Sequence, residues 1–214
     1  MKAPKHELVT RFGLDECVEF EPRYNIAPST GIPTIIQTPE GKRVLQLMHW
    51  GLIPGWAKDA SIGNRLINAR GESIAEKPSF SASFKRRRCL IPASGFYEWA
   101  QEGKVKQPYY ISLKSGEVMA LAGLWETWRT PDGSSLQSAC IVTTGANELM
   151  RPIHDRMPVI VEPGNWQDWL TAVQDDADKL IRPYESDDLL FWAVSRKVNK
   201  PSEEGPSLIG QNSR

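Results

Sequence analysis

The chain has 214 residues, of which 40% are hydrophobic and 24% charged, and its 26 Lys and Arg balance its 26 Asp and Glu. This composition is typical of a globular protein with a sizeable core. The zero net charge argues against a protein that coats DNA by bulk electrostatics, although it allows a local basic groove. No apolar run approaches the roughly 20 residues of a membrane helix, and the charged N-terminus is unlike a signal peptide, so we expect a cytoplasmic protein.

The first half of the chain is predicted to contain one short helix followed by a hairpin. Leu8 and Phe12 are spaced i,i+4 ahead of Gly13, which predicts a helix over residues 5–12. The other predicted elements of this half are an ordered loop (23–33), two strands joined by a turn (34–38 and 44–48) and a mostly helical or irregular stretch (68–88).

The second half is predicted to consist mainly of strands joined by tight turns. The strand candidates are 89–91, 96–100, 109–113, 119–125, 138–144, 157–161 and 189–194, and one amphipathic helix is predicted over 166–173. Because strands outnumber helices, we predict an α+β fold. Residues 1–214 are expected to form a single domain with a mainly antiparallel β-sheet core and peripheral short helices.

The three cysteines, Cys17, Cys89 and Cys140, are widely spaced and include no CxxC pair. This spacing predicts neither a zinc site nor a disulfide scaffold, and no metal or organic cofactor is implied. Acidic neighbours are expected to raise the pKa of Cys17, and the other two lie in apolar segments. None of the three is therefore predicted to be a nucleophile.

Glu98 stands among aromatic residues in a predicted strand. Strand alternation places Phe96 and Glu98 on one face and Tyr97 and Trp99 on the other. Partial burial would raise the pKa of this carboxyl group and make it a usable proton donor near neutral pH. The alternative is an acid on an edge strand that forms a salt bridge.

Two further polar residues have both a catalytic and a structural interpretation. His154 is followed by Asp155 and Arg156, and its imidazole is suited to moving protons, although a lone His is more often structural. Asn68 could hold a substrate oxygen, but its position taken alone favours capping of a helix start.

Several cations and aromatic residues could bind nucleic acid. Arg70 and Arg156 could each contact a phosphate or pair with an acid. Trp50 and Trp56 flank a loop rich in Gly and Pro, a position suited either to base stacking or to core packing. Residues 85–88 are four consecutive cations, which is typical of a solvated face but could also border a DNA groove.

Several of these segments occur together in one order along the chain, and their combination identifies a family. They are Arg23–Pro28, Trp50-Gly51, Pro54-Gly55-Trp56, Ile67–Arg70, Gly95–Trp99, Val142-Thr143-Thr144 with Asn147, Ile153–Pro158, and Val194-Ser195 with Val198-Asn199. From about residue 8 to about residue 209, the chain resembles the SOS-response-associated peptidase family, whose members cross-link to abasic sites in single-stranded DNA.

The resemblance implies a mechanism and assigns roles to residues. In similar proteins the initiator Met is removed, and the exposed Cys attacks the ring-opened abasic sugar with its amine and closes a thiazolidine with its thiol. By motif, Glu98 would be the catalytic acid/base, Asn68 would position the N-terminus and the sugar, and His154 would assist ring opening and the imine steps. The implied DNA-contacting residues are Arg70, Arg156, Trp50 and Trp56. The implied partner is single-stranded DNA that contains abasic sites, with no membrane and no obligate protein partner.

The chain departs from the family at its first residues. The family begins Met-Cys-Gly-Arg, whereas this chain begins Met-Lys-Ala-Pro, and a thiazolidine cannot form at an N-terminus without Cys. Either the first Met is internal and the true start lies a few residues upstream, which we expect because the three catalytic residues are present, or the nucleophile is lacking. In both cases the α-amine of Met1 or the side chain of Lys2 could form a reversible imine, and β-elimination could follow as weak lyase activity.

Three functional hypotheses follow from the sequence. The leading one is an abasic-site sensor with covalent DNA-linking and autopeptidase chemistry. The alternative is a non-covalent single-stranded DNA binding module whose chemistry has been lost. A protease that acts on other proteins is the least favoured, because the chain has no GxSxG motif and no evident Ser or Cys nucleophile beside its His.

Overall fold

The computed structural model describes residues 1–130, 132–184 and 187–212, which form two β-sheets and several short helices. The α-helices are α1 (Lys5–Phe12), α2 (Ser81–Arg86), α3 (Trp166–Thr171) and α4 (Gln174–Asp178). The strands are β1 (Glu16–Cys17), β2 (Gly31–Gln37), β3 (Arg43–Trp50), β4 (Asn68–Arg70), β5 (Arg88–Ala93), β6 (Phe96–Glu102), β7 (Val105–Leu113), β8 (Met119–Arg129), β9 (Ser135–Gly145), β10 (Arg156–Pro158), β11 (Ile160–Val161) and β12 (Leu189–Ala193). Short 3-10 turns cover Ala60–Arg65, Gly71–Ser73, Pro163–Asn165, Arg196–Asn199 and Pro206–Ile209. Across the described ranges, no helix has both the length and the apolar character needed to cross a membrane.

The larger sheet closes on itself. Its strand order is β1-β3-β2-β5-β8-β9-β10, and β3 also pairs with β9, so strands β2, β3, β5, β8 and β9 form a closed five-stranded barrel. The pairings within the barrel are antiparallel except for β3 with β9. The predicted α+β class with a mainly antiparallel core is therefore confirmed, whereas closure through a parallel pair was not predicted.

Side chains of the barrel strands alternate between two apolar clusters, as the pleat of a strand requires. The first cluster contains Ile35 and Leu90 and is covered by side chains of all four helices. The second contains the neighbouring residues Ile36 and Ile91 and occupies the barrel interior. The helices therefore cover the outside of the barrel and leave its interior open to the second sheet.

The second sheet has three antiparallel strands in the order β12-β7-β6. Ile111 and Leu113 of β7 belong to the same apolar cluster as the barrel interior, so this sheet packs over one end of the barrel. Strand β6, which contains Glu98, lies at the edge of this sheet. An acidic side chain is thereby placed beside the mouth of the barrel.

Several element predictions need correction. Helix α1 has the predicted bounds, and Gly13 ends it with a left-handed φ of 58°. The loop predicted over 23–33 ends earlier, because β2 begins at Gly31. The strand predicted over 157–161 is divided into β10 and β11, which pair with different strands.

The cationic run at 85–88 does not form a free basic face at its last two residues. Arg87 pairs with Glu126 at 2.5 Å between Nη2 and Oε2. Arg88 is buried, and its Nε and Nη1 donate to the main-chain carbonyls of Trp169 and Phe84 at 2.5 and 2.6 Å. Arg88 therefore satisfies carbonyl groups of α2 and α3 that would otherwise lack donors.

Candidate active site

A cavity of about 660 Å³ opens where the three-stranded sheet meets the barrel mouth. Six of the seven residues predicted for the site line it, namely Trp50, Asn68, Arg70, Glu98, His154 and Arg156. Met1 and Lys2 also line the cavity, together with apolar residues of the barrel interior such as Ile91 and Leu121. The tertiary structure thus brings together an amide, a carboxyl, an imidazole and an amine from segments far apart in sequence.

Glu98 lies on edge strand β6, directly opposite Tyr109 of β7. Its side chain is half-buried, and burial raises the pKa of the carboxyl group, while the electrostatic attraction of His154 partly opposes this effect. The alternative interpretation had Glu98 in a salt bridge, but it forms no ion pair with any residue that the structure describes. A carboxyl group of this kind can hold a proton closer to neutral pH than an ordinary glutamate.

His154 has its ring oriented by the main chain. Its Nδ1 accepts a hydrogen bond from the backbone N–H of Arg156 at 3.0 Å and lies 3.2 Å from Oδ1 of Asp155. A nitrogen that accepts from Arg156 cannot at the same time donate to Asp155, so the two contacts belong to different protonation states. While Nδ1 accepts from Arg156, the proton of the neutral ring sits on Nε2, which is the tautomer that can donate to a substrate oxygen.

Asn68 does not cap a helix, and that interpretation is wrong. It is the first residue of β4, which runs parallel to β9 with Asn68 opposite Ile141 and Arg70 opposite Thr143. Because residues two apart on a strand share a face, Asn68 and Arg70 both reach the cavity. The Arg70 side chain forms no hydrogen bond or ion pair with the described residues, so its guanidinium group is available to an anion.

The three other predicted DNA-contacting residues differ in their surroundings. Trp50 is half-buried at the end of β3 and lines the cavity. Its Nε1 donates to the carbonyl of Ile67 at 3.0 Å, which fixes the orientation of the ring. Trp56 does not line the cavity; it is 61% exposed, and its Nε1 lies 3.3 Å from the carbonyl of Pro78. Arg156 lines the cavity but is already bound to Glu72.

The N-terminal residues pair with the loop before β2. The α-amino group of Met1 donates to the carbonyl of Arg23 at 2.6 Å, and the carbonyl of Met1 accepts from the N–H of Arg23 at 2.8 Å. Burial lowers the pKa of this amine from 8.0 to about 6, against a smaller opposing attraction by Glu204. An amine with this pKa is largely unprotonated, and so nucleophilic, at neutral pH.

No cysteine contributes to the cavity lining. Cys17 is half-buried on β1, and burial, more than its acidic neighbour, raises the pKa of its thiol. Cys89 and Cys140 are buried, and burial raises the pKa of Cys140 to about 12. The prediction that these thiols are not the nucleophile agrees with their burial and raised pKa.

One wall of the cavity depends on residues whose role the sequence did not reveal. The buried Asn25 donates from Nδ2 to the carbonyls of Val198 and Lys200 at 3.1 and 3.0 Å. Glu204 accepts from the N–H of Tyr24 at 2.8 Å. Asn25 belongs to a motif that the sequence analysis recognised, but its partners lie more than 170 positions away and no local pattern indicates them.

Comparisons with known proteins place the chain in a family. The model of the SOS response associated peptidase (SRAP) family matches residues 1–201. The abasic site processing protein YoqW of Bacillus subtilis is 45% identical over 210 residues, which cover 95% of this chain and 93% of that protein. The abasic site processing protein HMCES of Xenopus tropicalis is 31% identical over 224 residues, in an alignment that covers 89% of this chain and 66% of that protein.

Solved structures give the same result. A protein from Bordetella bronchiseptica has a TM-score of 0.82 at 25% identity, and the superposition covers 91% of this chain and 97% of that protein's chain. A protein from Bacteroides thetaiotaomicron has a TM-score of 0.80 at 26% identity, and the superposition covers 100% of this chain and 98% of that protein's chain. The match of the family model to most of the chain, together with these identities and structural similarities, shows that the chain belongs to the SOS response associated peptidase (SRAP) family.

Proposed function

We propose that this chain processes abasic sites in single-stranded DNA by aldehyde chemistry in the cavity. The observation that carries the proposal is the convergence of Asn68, Glu98 and His154 in one cavity, with the guanidinium group of Arg70, which has no ion-pair partner among the described residues, beside them. Relatives that are 31 to 45% identical are named abasic site processing proteins, which supports the same substrate.

The three polar side chains suit the steps by which an amine condenses with an aldehyde. The ring-opened sugar of an abasic site presents an aldehyde, whose carbon forms a bond with the amine nitrogen while its oxygen takes up a proton. The resulting carbinolamine then loses water to give an imine. Glu98 can supply the proton that the departing hydroxyl group requires, because its pKa is raised. The Asn68 amide and the Nε2–H of His154 are the groups that can polarise the carbonyl oxygen.

The nucleophile of this mechanism depends on the residue at which the polypeptide begins. In a polypeptide that begins at Met1, this residue lines the same cavity and the pKa of its α-amine is about 6, so the amine can form the imine without a thiol. Lys2 also lines the cavity and is the second candidate amine. Without a neighbouring thiol, the product would be a reversible imine rather than a thiazolidine ring.

Single-stranded DNA fits the surroundings of the cavity better than an intact duplex. An abasic sugar must enter a concave site, and extrusion from a duplex costs unstacking energy that a single strand avoids. Trp50 offers an aromatic surface for a flanking base, and Arg70 offers a cation for a flanking phosphate. We assign a similar stacking role to Trp56 on the exposed surface outside the cavity.

The test mixes the protein with a single-stranded oligonucleotide that contains one abasic site, adds borohydride and separates the products on a denaturing gel. The wild-type protein is expected to give a trapped adduct. Glu98→Gln is expected to slow trapping on the order of 100-fold while DNA affinity changes less than twofold. The matched control is Glu102→Gln, which removes an exposed carboxylate from the same strand outside the cavity and should trap at the wild-type rate. No adduct from the wild-type protein would refute the chemical proposal.

The absence of a thiol from the cavity lining favours a second candidate, a non-covalent single-stranded DNA binding module. Under this alternative, the wild-type protein would retard the oligonucleotide on a native gel but give no denaturation-resistant band with borohydride. Glu98→Gln would then change neither measurement. A denaturation-resistant band formed without any reductant would indicate a covalent bond more stable than an imine.

A further inference from the structure

We propose that Glu72 is a positioning residue. Its ion pair with Arg156 forms a clamp across β9, made of Glu72, Arg156 and Thr143, that fixes the position of His154 relative to Asn68. The inference rests on the proposed function, because it concerns the geometry of the same site. Glu72 is not among the seven site residues chosen from the sequence. It lies four positions after Asn68, in the 3-10 turn that follows β4.

The Arg156 side chain is almost completely engaged within the protein. Its Nη1 and Nη2 donate to the two carboxylate oxygens of Glu72 at 3.1 and 2.8 Å. Its Nε donates to Oγ1 of Thr143 at 3.2 Å, and Nη2 also donates to the carbonyl of Thr143 at 2.7 Å. A guanidinium group has five N–H bonds, so these contacts leave one for any other partner. Bidentate pairing of this kind fixes orientation as well as adding attraction.

The clamp joins strands that lie on opposite sides of β9. Thr143 of β9 is opposite Arg70 of β4 on one side and opposite Pro158 of β10 on the other. The Arg156 side chain starts on β10, passes Thr143 and reaches Glu72 beyond β4. The hydroxyl group of Thr143 continues the network by donating to the carbonyl of Ala69 at 3.4 Å. The segment that carries Asn68 is therefore tied to the segment that carries His154.

The same residue orients the imidazole ring. The backbone N–H of Arg156 donates to Nδ1 of His154, which leaves the proton of the neutral ring on Nε2. Loss of the Glu72 carboxylate would leave the Arg156 side chain held by Thr143 alone and allow the start of β10 to shift. Both the ring tautomer and the distance from His154 to Asn68 depend on this position. The carboxylate stays ionised because the hydrogen bonds from Arg156 lower the pKa of Glu72.

The clamp also separates the roles of the two arginines in the cavity. Arg156 has one N–H left for a phosphate, whereas Arg70 has all of its donors free of described partners. Arg70 is therefore the main phosphate contact, and Arg156 acts chiefly through the residues that it holds. The two roles make different predictions about salt dependence. Loss of the Arg70 cation should lower the slope of log affinity against log salt concentration, because a phosphate contact is lost, whereas loss of the Arg156 cation should change this slope little.

The experiment compares Glu72→Gln, Arg156→Lys and the double variant in single-turnover borohydride trapping at saturating abasic-site oligonucleotide. Each single variant is expected to lower the maximal rate on the order of 10- to 100-fold while the half-saturating DNA concentration stays within twofold. The double variant should be no slower than the slower single variant, because both changes break one interaction. Glu117→Gln, which removes the acid of the Arg11–Glu117 pair away from the cavity, is the matched control and should leave the rate unchanged.

A second readout does not depend on the reaction. The protein has three histidines, so the ring-nitrogen signals of His154 can be followed by NMR and assigned with His154→Gln. Glu72→Gln should shift the His154 Nδ1 signal and Glu117→Gln should not. Unchanged His154 signals and an unchanged trapping rate would overturn the inference, as would a Glu72→Gln variant that only binds DNA more tightly. If the wild-type protein forms no adduct, the proposed function fails, and the NMR comparison still decides whether the clamp exists.

Discussion

The replacement of Gly51 by alanine tests whether the cavity wall is as tightly packed as the structure indicates. Gly51 follows Trp50 at the end of β3, and its φ of 140° lies in a region that L side chains rarely adopt. A Cβ at this position would lie 2.5 Å from the carbonyl oxygen and 2.9 Å from the carbonyl carbon of Gly63. These atoms belong to main chain in the turn Ala60–Arg65, so they cannot rotate away as the end of a side chain could.

The size of the effect follows from two separate penalties. The left-handed backbone costs a non-glycine residue about 1–2 kcal/mol, and forcing an atom into a packed region costs about 1–3 kcal/mol. We therefore expect Gly51→Ala to lower the free energy of unfolding by about 2–5 kcal/mol. Gly116→Ala is the matched control, because Gly116 has a φ of 74° and its added Cβ would meet no atom within 4 Å. That variant should lose only about 1 kcal/mol.

Urea denaturation followed by tryptophan fluorescence measures both variants. With a slope of about 2 kcal/mol/M, Gly51→Ala should lower the midpoint by about 1–2.5 M and Gly116→Ala by about 0.5 M. The same variants are then compared in borohydride trapping, where only Gly51→Ala should slow the reaction, because it displaces Trp50. Equal midpoints for the two variants would refute the packing argument, since both place a side chain at a positive φ and only one has the clash.

Three further predictions concern the strand that carries Glu98, the buried cation and the N-terminal amine. Gly95→Ala should cost about 1–3 kcal/mol in urea denaturation and slow trapping, because its Cβ would lie 2.5 Å from the carbonyl of Ile111; wild-type behaviour in both assays would contradict this. Arg88→Met should lower the free energy of unfolding by about 2–4 kcal/mol, since buried carbonyls lose their donors, and calorimetry that finds a loss below about 1 kcal/mol would argue against this role. In a polypeptide that begins at Met1, the rate of reductive methylation of the α-amine should rise with pH, with a midpoint near pH 6. The reason is that the lowered pKa leaves about nine-tenths of the amine unprotonated at pH 7. A midpoint near pH 8 would show that the amine is not buried.

The residues of the candidate site were more predictable than their contacts. Six of the seven residues chosen from the sequence line one cavity, because each belongs to a short motif that can be recognised without knowing its partners. The exception, Trp56, has the same kind of Gly- and Pro-rich neighbourhood as Trp50, so local sequence could not separate a cavity residue from an exposed one. Taken alone, the position of Asn68 favoured capping of a helix start because caps are read from local composition, whereas its strand forms only by pairing with β9.

Local sequence determined the features of this protein that depend on near neighbours. The bounds of α1, the β2–β3 hairpin and the alternation around Glu98 follow from spacing and turn chemistry within about ten residues, and the excess of predicted strands over helices indicated an α+β protein. The tertiary structure alone decided that the barrel closes through a parallel pairing of His49 with Ser138, and that Arg156 is held by a carboxylate 84 positions away. Such contacts are set by which surfaces meet once the chain has folded, and their energies leave no periodicity in the sequence from which they could be read.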